Sequence, residues 1–482
     1  MDARRITPLC VRLLTAGHPP NQQASPTCWI LLDLHAYVAD RENATSAWGT
    51  MSNGKAIRVT FCTAPPPLVS YICVWSPDAE IGLEPTVEAA ESDLILICVF
   101  LRDSRDKDDC FVYKAAGSRG PSLRLLQDPE PCWPERYNYT LLAHRDIGYP
   151  HAAAEGDDHY CIAALNGFRR SGPGDFKLWL FNSMDGEWST MPVSVGDIFC
   201  HITSKTIALG GGGLLGFVDP WRGIIVCDVL GRKPARYLQL PTPLIRLDKF
   251  RDEPLLERDI AFVEGRLTVV ELTRPAVQQG SICNSRSRQI SSWSRAVSDQ
   301  WEEDWRMDYV IQSPDISVDN TGSVDHSLLN LPDGNDRQPS LGKLYIDHRT
   351  LSLSDSRIVY IMGQVNPRDK KALVLAIDMS ISKLQGVAMF DAERMIGFTY
   401  TQSRISKYFN AAPGVKKNPL ASVSITNGLA KLGNANTGAC VRASLRAVKE
   451  ASCAGFHTNT VCFLRRVVRG REMIPKWRTN LR

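Results

Sequence analysis

The segment Gly210-Gly-Gly-Gly-Leu-Leu-Gly-Phe-Val-Asp-Pro-Trp-Arg-Gly-Ile-Ile-Val-Cys-Asp-Val-Leu230 constrains this chain more than any other. Glycine reaches backbone conformations closed to other residues, and here glycines stand directly before two apolar runs. Asp219-Pro220-Trp221-Arg222-Gly223 carries turn chemistry, because proline presets φ and glycine accepts positive φ. Behind it Ile224-Ile-Val-Cys227 is β-branched and aliphatic, and it stops at Asp228. The pattern predicts two strands joined by a tight turn and entered through glycines. That is the unit from which propeller blades are built, and it specifies an architecture without specifying a chemistry.

The rest of the chain repeats the theme. Ile57-Arg-Val-Thr-Phe61 alternates apolar and polar residues at the period of a half-buried strand. Further strands are expected at Val69–Trp75, Leu94–Leu101, Phe111–Lys114, Tyr160–Leu165 and Phe176–Phe181. Ile260–Val263 and Leu267–Leu272 flank Glu264-Gly265-Arg266 as a short hairpin, and Ile358–Val365 pairs with Ala372–Ile377. Helical periodicity is almost absent before residue 400. An apolar run followed by a polar residue, a turn and a fresh apolar start recurs at Lys114, Asn182, Asp228 and Asp378. The intervals are irregular against the fixed period of a clean repeat, so blades cannot be counted from them.

With 482 residues the chain exceeds ordinary single-domain size, and a propeller keeps such a length in one body. The longest apolar run, Leu94 to Leu101, is far short of a membrane span. The N-terminus lacks the apolar core of a secretory signal, so none is expected. The 14 cysteines are scattered singly with no C-x-x-C pair. They read as free core residues in a reducing, intracellular compartment, cytoplasmic or nuclear. The net charge of +4 hides an asymmetry: Ser403 to Arg482 holds 15 Lys/Arg against Glu450 and Glu472, behind a mildly acidic body.

Gly211-x-Gly213-x-x-Gly216 matches a dinucleotide fingerprint, but a β-branched run follows where the fingerprint needs a helix N-terminus. No cofactor is expected there. His151, Glu155, Asp157, Asp158 and His159 gather metal-capable side chains, with His151, Asp157 and His159 the weak candidates; a solvated acidic loop is the plainer reading. Asp33, Asp219 and Asp228 stand at strand ends, where Asp bonds nearby backbone N–H groups. No adjacent nucleophile and base pair exists, so no catalytic residue is assigned. Trp75, Trp179, Trp188 and Trp221 are expected as blade anchors. Trp293, Trp301 and Trp305 are expected as exposed partner contacts. In the tail, Arg465, Arg466, Arg469 and Arg471 with Trp477 read first as solvated, then as a nuclear address, then as a nucleic-acid contact.

Several blocks in order resemble a family. Trp29-Ile-Leu-Leu-Asp33, Asn43-Ala-Thr45, Ile57–Phe61 and Ala64-Pro-Pro-Pro-Leu-Val-Ser70 look like the opening of plant proteins that contain domain of unknown function 1618. Gly213–Asp228 followed by Leu240-Pro241-Thr242-Pro243 is similar to that family's most recognisable block. Arg258-Asp-Ile-Ala-Phe-Val263 and Ile405-Ser-Lys-Tyr-Phe-Asn410 are similar to later ones. The resemblance implies a family expanded in grasses, with propeller-like structure akin to F-box-associated and kelch-like domains and no established activity. No F-box is visible here.

Together these readings predict an all-β, irregular propeller-like domain over 28–415. A flexible N-terminus (1–27), a long loop or insertion at about 312–342, and a basic, partly disordered tail (416–482) complete it. A non-catalytic module for an unidentified protein partner is the leading functional expectation, with no membrane and no cofactor. An enzyme with its site in the propeller's central opening is the alternative. Nucleic-acid contact through the tail is the second.

Overall fold

The computed structural model describes residues 27–101, 108–115, 120–126, 139–143, 159–167, 174–196, 198, 201–243, 257–273, 287–297, 303–318, 341, 344–366, 369, 371–391 and 400–409. Residues 1–394 and 398–413 form one compact unit, to which all of these belong; 395–397 with 414–482 form a second. His151, Asp157, Trp301 and the tail arginines 465, 466, 469 and 471 lie outside the described residues.

The unit is an all-β propeller of six blades. The chain opens with β1 (Ile30–Asp33), β2 (Tyr37–Val38), β3 (Ala47–Thr50), β4 (Ala56–Cys62) and β5 (Val69–Trp75). Five four-stranded antiparallel blades follow. The second blade is β6 (Thr86–Glu91), β7 (Leu94–Val99), β8 (Asp109–Lys114) and β9 (Ser122–Leu125). The third is β10 (Tyr139–Ala143), β11 (Tyr160–Gly167), β12 (Asp175–Asn182) and β13 (Glu187–Ser194). The fourth is β14 (Lys205–Ala208), β15 (Leu214–Asp219), β16 (Gly223–Asp228) and β17 (Arg236–Gln239). The fifth is β18 (Arg258–Val263), β19 (Arg266–Thr273), β20 (Gln289–Ala296) and β21 (Arg306–Gln312). The sixth is β22 (Tyr345–Leu351), β23 (Ile358–Gln364), β24 (Lys371–Asp378) and β25 (Lys383–Asp391). Finally β26 (Tyr400–Ser403) returns to pair antiparallel with β1 and completes the first blade, in the order β26-β1-β5-β4-β3.

Six buried clusters, one at each blade junction, close the ring. The fourth blade shows why its strands are almost uninterruptedly apolar. Side chains alternate faces along a strand. Leu215 and Phe217 of β15, with Ile225 and Cys227 of β16, pack toward the third blade. Val218, Ile224 and Val226 pack toward the fifth. Both faces are interior, so neither can be polar. Burying each such Ile or Phe contributes about 2 kcal/mol. Within this segment Gly213 adopts φ +81° in the β14–β15 turn. Gly216 answers a different need: a Cβ there would come within 2.9 Å of Ile224 Cγ2 and 3.0 Å of Ile207 Cγ1. The glycines of the apparent dinucleotide fingerprint therefore serve a turn and a close strand approach.

The recurring polar residue has a specific task. Asn182, Asp228 and Asp378 end the third strands of their blades, and each side-chain oxygen accepts the backbone N–H two residues on, at 3.1, 3.0 and 2.9 Å. Asp33 and Asp219 close their turns in the same way, onto His35 and Trp221. These are Asx turns, which bend the chain into the next strand. Lys114 ends β8 at the equivalent place but forms a buried pair with Asp93 at 3.5 Å. The fifth blade lacks the marker, since β20 ends at Ala296, which is why the interval from 228 to 378 is so long.

Two expectations need correction. Cys98 and Cys110 are not free: they face each other across β7 and β8, Cα atoms 4.1 Å apart, and form a disulfide. Their separation of 12 residues is no motif, and strand pairing alone sets them opposite. Cysteine usage therefore no longer argues for a reducing compartment. Trp293 is not exposed either. It lies in the junction between the fourth and fifth blades, because its position on β20 points it to the neighbouring blade.

Candidate functional site

Six inner strands, β6, β10, β14, β18, β22 and β26, surround a central cavity of about 390 Å³. All contribute lining residues, and the floor is polar. Asp259, at the start of β18, is its hub. It accepts from Lys205 Nζ of β14 at 2.6 Å, from the backbone N–H of Leu351 at 2.9 Å and from Gln402 Nε2 of β26 at 3.3 Å. One carboxylate thus joins the inner strands of four blades. Burial alone would raise its pKa. The charge and hydrogen bond of Lys205, the Leu351 N–H and nearby Arg349 outweigh that and hold it below the usual range.

Two β-bulges re-aim side chains into this space. In β6 the register with β7 passes from Val87 to Ala89 and skips Glu88; in β22 the register with β23 passes from Asp347 to Arg349 and skips His348. Glu88 and His348 both line the cavity. A bulge inserts one residue into a strand and redirects it, a frequent device beside binding sites. His348 also has φ +42°, uncommon outside glycine. Its Nε2 lies 3.0 Å from the backbone carbonyl of Tyr400. A carbonyl only accepts, so Nε2 carries the proton and Nδ1 presents a lone pair. Burial, aided by Arg349 and Lys205 and opposed by the Tyr400 carbonyl and Asp259, pushes His348 down to about 4.

Tyr400 stands edge-on to His348, ring centroids 4.4 Å apart. Burial pushes its pKa up, so its hydroxyl keeps its proton. Arg349 is fully buried next to them. Burial lowers it to about 9, against the pull of Glu257, Asp259 and Glu271, and it remains charged at neutral pH. His348 Nδ1 and Tyr400 Oη are buried and have no hydrogen-bond partner among the described residues. The less buried part of the lining is mixed, with Phe262, Leu353 and Arg404 half-buried and Gly210 exposed.

The residues singled out from sequence fall elsewhere. His159 immediately precedes β11 and does not line the cavity, and no group of three metal-capable side chains converges among the described residues. Trp305 is half-buried and donates to the Gln239 carbonyl of β17 at 2.8 Å. Trp179 is buried and Trp188 packs on the same cluster, as blade anchors. Trp75 packs edge-on to Trp48 beside the Arg58 guanidinium. Of the blocks that carry the family resemblance, three meet at Arg258. This fully buried guanidinium binds Glu271 at 2.6 and 2.8 Å and donates to the carbonyls of Pro220 and Pro241. The rings of Trp221 and Trp293 lie 6.0 Å away.

Fold and cavity together define a six-bladed propeller with a polar centre. Residues 217–360 match the model of the family described as "Protein of unknown function (DUF1618)", so the resemblance read from sequence holds over that segment. No curated protein matches the chain. Among solved structures, similarity reaches Kuenenia stuttgartiensis hydrazine synthase, at 10% identity, 71% of this chain, 78% of the other and a TM-score of 0.30. The WD40 domain of SCAP from fission yeast matches at 10% identity over 77% and 92% of the two chains, TM-score 0.29. Sqt1 from Chaetomium thermophilum matches at 12% identity over 75% and 74%, TM-score 0.29. Likeness this slight bears on neither activity nor ligand. No helix among the described residues is long and apolar enough to cross a membrane.

Proposed function

We propose that this propeller binds a small molecule in its central cavity, without turning it over. The observation that supports this most is the cavity itself, walled by all six inner strands and lined by the buried residues Asp259, His348, Arg349 and Tyr400, with His348 held at positive φ. A non-glycine residue at positive φ, as at His348, costs about 1–3 kcal/mol. Costs of this kind concentrate where a ligand meets the protein. The cavity volume falls in the range of roughly 300–1,000 Å³ typical of small-molecule sites.

Binding fits better than catalysis. The amine and carboxylate that do meet there, Lys205 and Asp259, are engaged with each other, and the carboxylate also accepts the Leu351 N–H of a neighbouring blade, as in a structural pair. The expectation of a protein partner leaned on three tryptophans, of which Trp293 is interior and Trp305 braces the next blade.

The test is to incubate the full chain with a small-molecule extract, desalt, denature, and identify released compounds by mass spectrometry. Ala208, at the end of β14, lines the cavity, is partly exposed and packs on the edge of the core between the third and fourth blades, so Ala208→Trp should occlude the space, and a retained cooperative thermal transition shows that the neighbouring core survives it. A compound released by the wild type and absent from Ala208→Trp is the expected result. Equal recovery from both proteins, or none from either, ends the reading.

A further inference from the structure

Away from the cavity, one face of the first blade gathers Tyr37 of β2, Cys62 of β4, and Tyr71 and Cys73 of β5 into a buried cluster. In the ladder between β4 and β5, Thr60 stands opposite Cys73 and Cys62 opposite Tyr71. Side chains alternate faces along a strand, so Cys62, Tyr71 and Cys73 share one side, with the cysteines diagonal to each other across the strand pair. Both are free thiols in this structure. Tyr37 packs edge-on to Tyr71, ring centroids 5.3 Å apart, and backs the pair.

This cluster favours charge on one sulfur and not on the other. Cys62 Sγ accepts hydrogen bonds from the Cys73 thiol and the Tyr71 hydroxyl, with the Arg41 guanidinium nearby. Led by the Cys73 bond, these bring Cys62 down to about 7 against the opposing effect of burial. Cys73, the donor, is pushed up by that same bond, by burial and by the charge on Cys62. Cys161 and Cys227 mark the contrast: burial, joined at Cys161 by Asp185, pushes both up to about 12. The thiolate is the nucleophilic form of cysteine. The pair therefore holds an attacking sulfur and, bonded to it, a protonated one placed to resolve the product. Access is narrow. Cys62 is the last residue of β4 and keeps 5% exposure, against 1% for Cys73; Thr63 and Ala64 beyond it are half-buried and Pro65 is exposed. Exposure this small suits an oxidant little larger than water and excludes a bulky one.

We propose that Cys62 is a site of reversible oxidation by hydrogen peroxide, and that Cys73 resolves it as a disulfide between β4 and β5. The Cys62 thiolate attacks one peroxide oxygen, the O–O bond breaks, and the departing hydroxide takes up a proton, leaving a sulfenic acid and one water. The Cys73 sulfur then attacks Cys62 Sγ, the S–S bond forms, and the hydroxyl leaves with the thiol proton as a second water. Two thiols are oxidised to a disulfide and one peroxide is reduced to two waters. The test treats the full chain with dithiothreitol, desalts it, adds hydrogen peroxide, alkylates the remaining thiols in denaturant and maps peptides by mass spectrometry. Chymotrypsin serves for digestion, since it cuts at Tyr71 between the two cysteines. Peptides joined through Cys62 and Cys73 and parted by dithiothreitol are the expected product, while Cys161 and Cys227 stay alkylated. In Cys73→Ala the reaction should stop at a Cys62 sulfenic acid that dimedone traps, and in Cys62→Ala Cys73 should remain a thiol. Oxidised glutathione should leave both thiols free over the same time. Full alkylation of Cys62 and Cys73 after peroxide overturns the proposal, as does oxidation of Cys73 in Cys62→Ala or of Cys161 and Cys227 at the same rate. A glutathione adduct on Cys62 overturns the choice of peroxide.

Discussion

His348 concentrates what is unusual about this molecule at the scale of a single residue. It is neutral, buried and held at positive φ, facing Arg349, Asp259, Lys205 and the Tyr400 carbonyl. Its ordinary value of 6.5 falls to about 4 in the folded chain. Between these values the unfolded chain binds more protons than the folded one, so stability rises with pH there. The contribution, about 3 kcal/mol from the size of the shift, is complete above pH 6.5 and is lost as pH falls toward 4. His201, lowered by burial to about 4 as well, adds to the same window. Chemical denaturation from pH 7 to pH 4 should therefore show falling stability, with a shallower slope in His348→Asn and a remaining slope owed to His201. An unchanged slope in that variant would place the titrating group elsewhere. No feature of the linear sequence around Tyr345-Ile-Asp-His-Arg-Thr-Leu351 marks His348, because the bulge that sets it apart depends on the register of β22 with β23.

Among elements, the junction of the fourth and fifth blades shows how one buried ion pair organises several strands. Arg258 joins β18 to Glu271 of β19, to the β15–β16 turn at Pro220 and to Pro241 just beyond β17. Removing one partner of a buried pair leaves an uncompensated charge and costs about 3–5 kcal/mol. Arg258→Met should cost that much in denaturant titrations. The double variant Arg258→Met/Glu271→Leu should be less damaging than Arg258→Met alone. A double variant as unstable as the sum of its singles would mean that the carbonyl contacts, not the ion pair, hold the junction. The strands here were readable from alternation and turn residues, and the short hairpin expected around Glu264-Gly265-Arg266 forms, with Glu264 and Gly265 at φ +52° and +76° as its two turn residues between Val263 and Arg266. The clamp was not readable: Arg258 and Glu271 lie 13 positions apart with nothing to link them until β18 and β19 pair.

For the whole molecule, ring closure joins the two ends of the described chain. β26 supplies the innermost strand of a blade whose other strands come from residues 30–75, and Ser92 and Tyr408 share a hydrogen bond of 2.9 Å across the closure. A chain that begins at Leu34 lacks β1, leaves β26 without its neighbour and should lose the cooperative thermal transition; retention of a wild-type transition would show that the ring holds without this strand. Sequence by itself determined the all-β class, most strand positions, the Asx turns and the glycine-led blade, because each follows from side-chain period and local backbone preference within a few residues. Tertiary structure decided the number of blades, the Cys98–Cys110 disulfide, the interior place of Trp293 and the cavity floor. Lys205, Asp259, His348, Arg349, Tyr400 and Gln402 come from four different blades, and only the closing of the ring sets their side chains around one space.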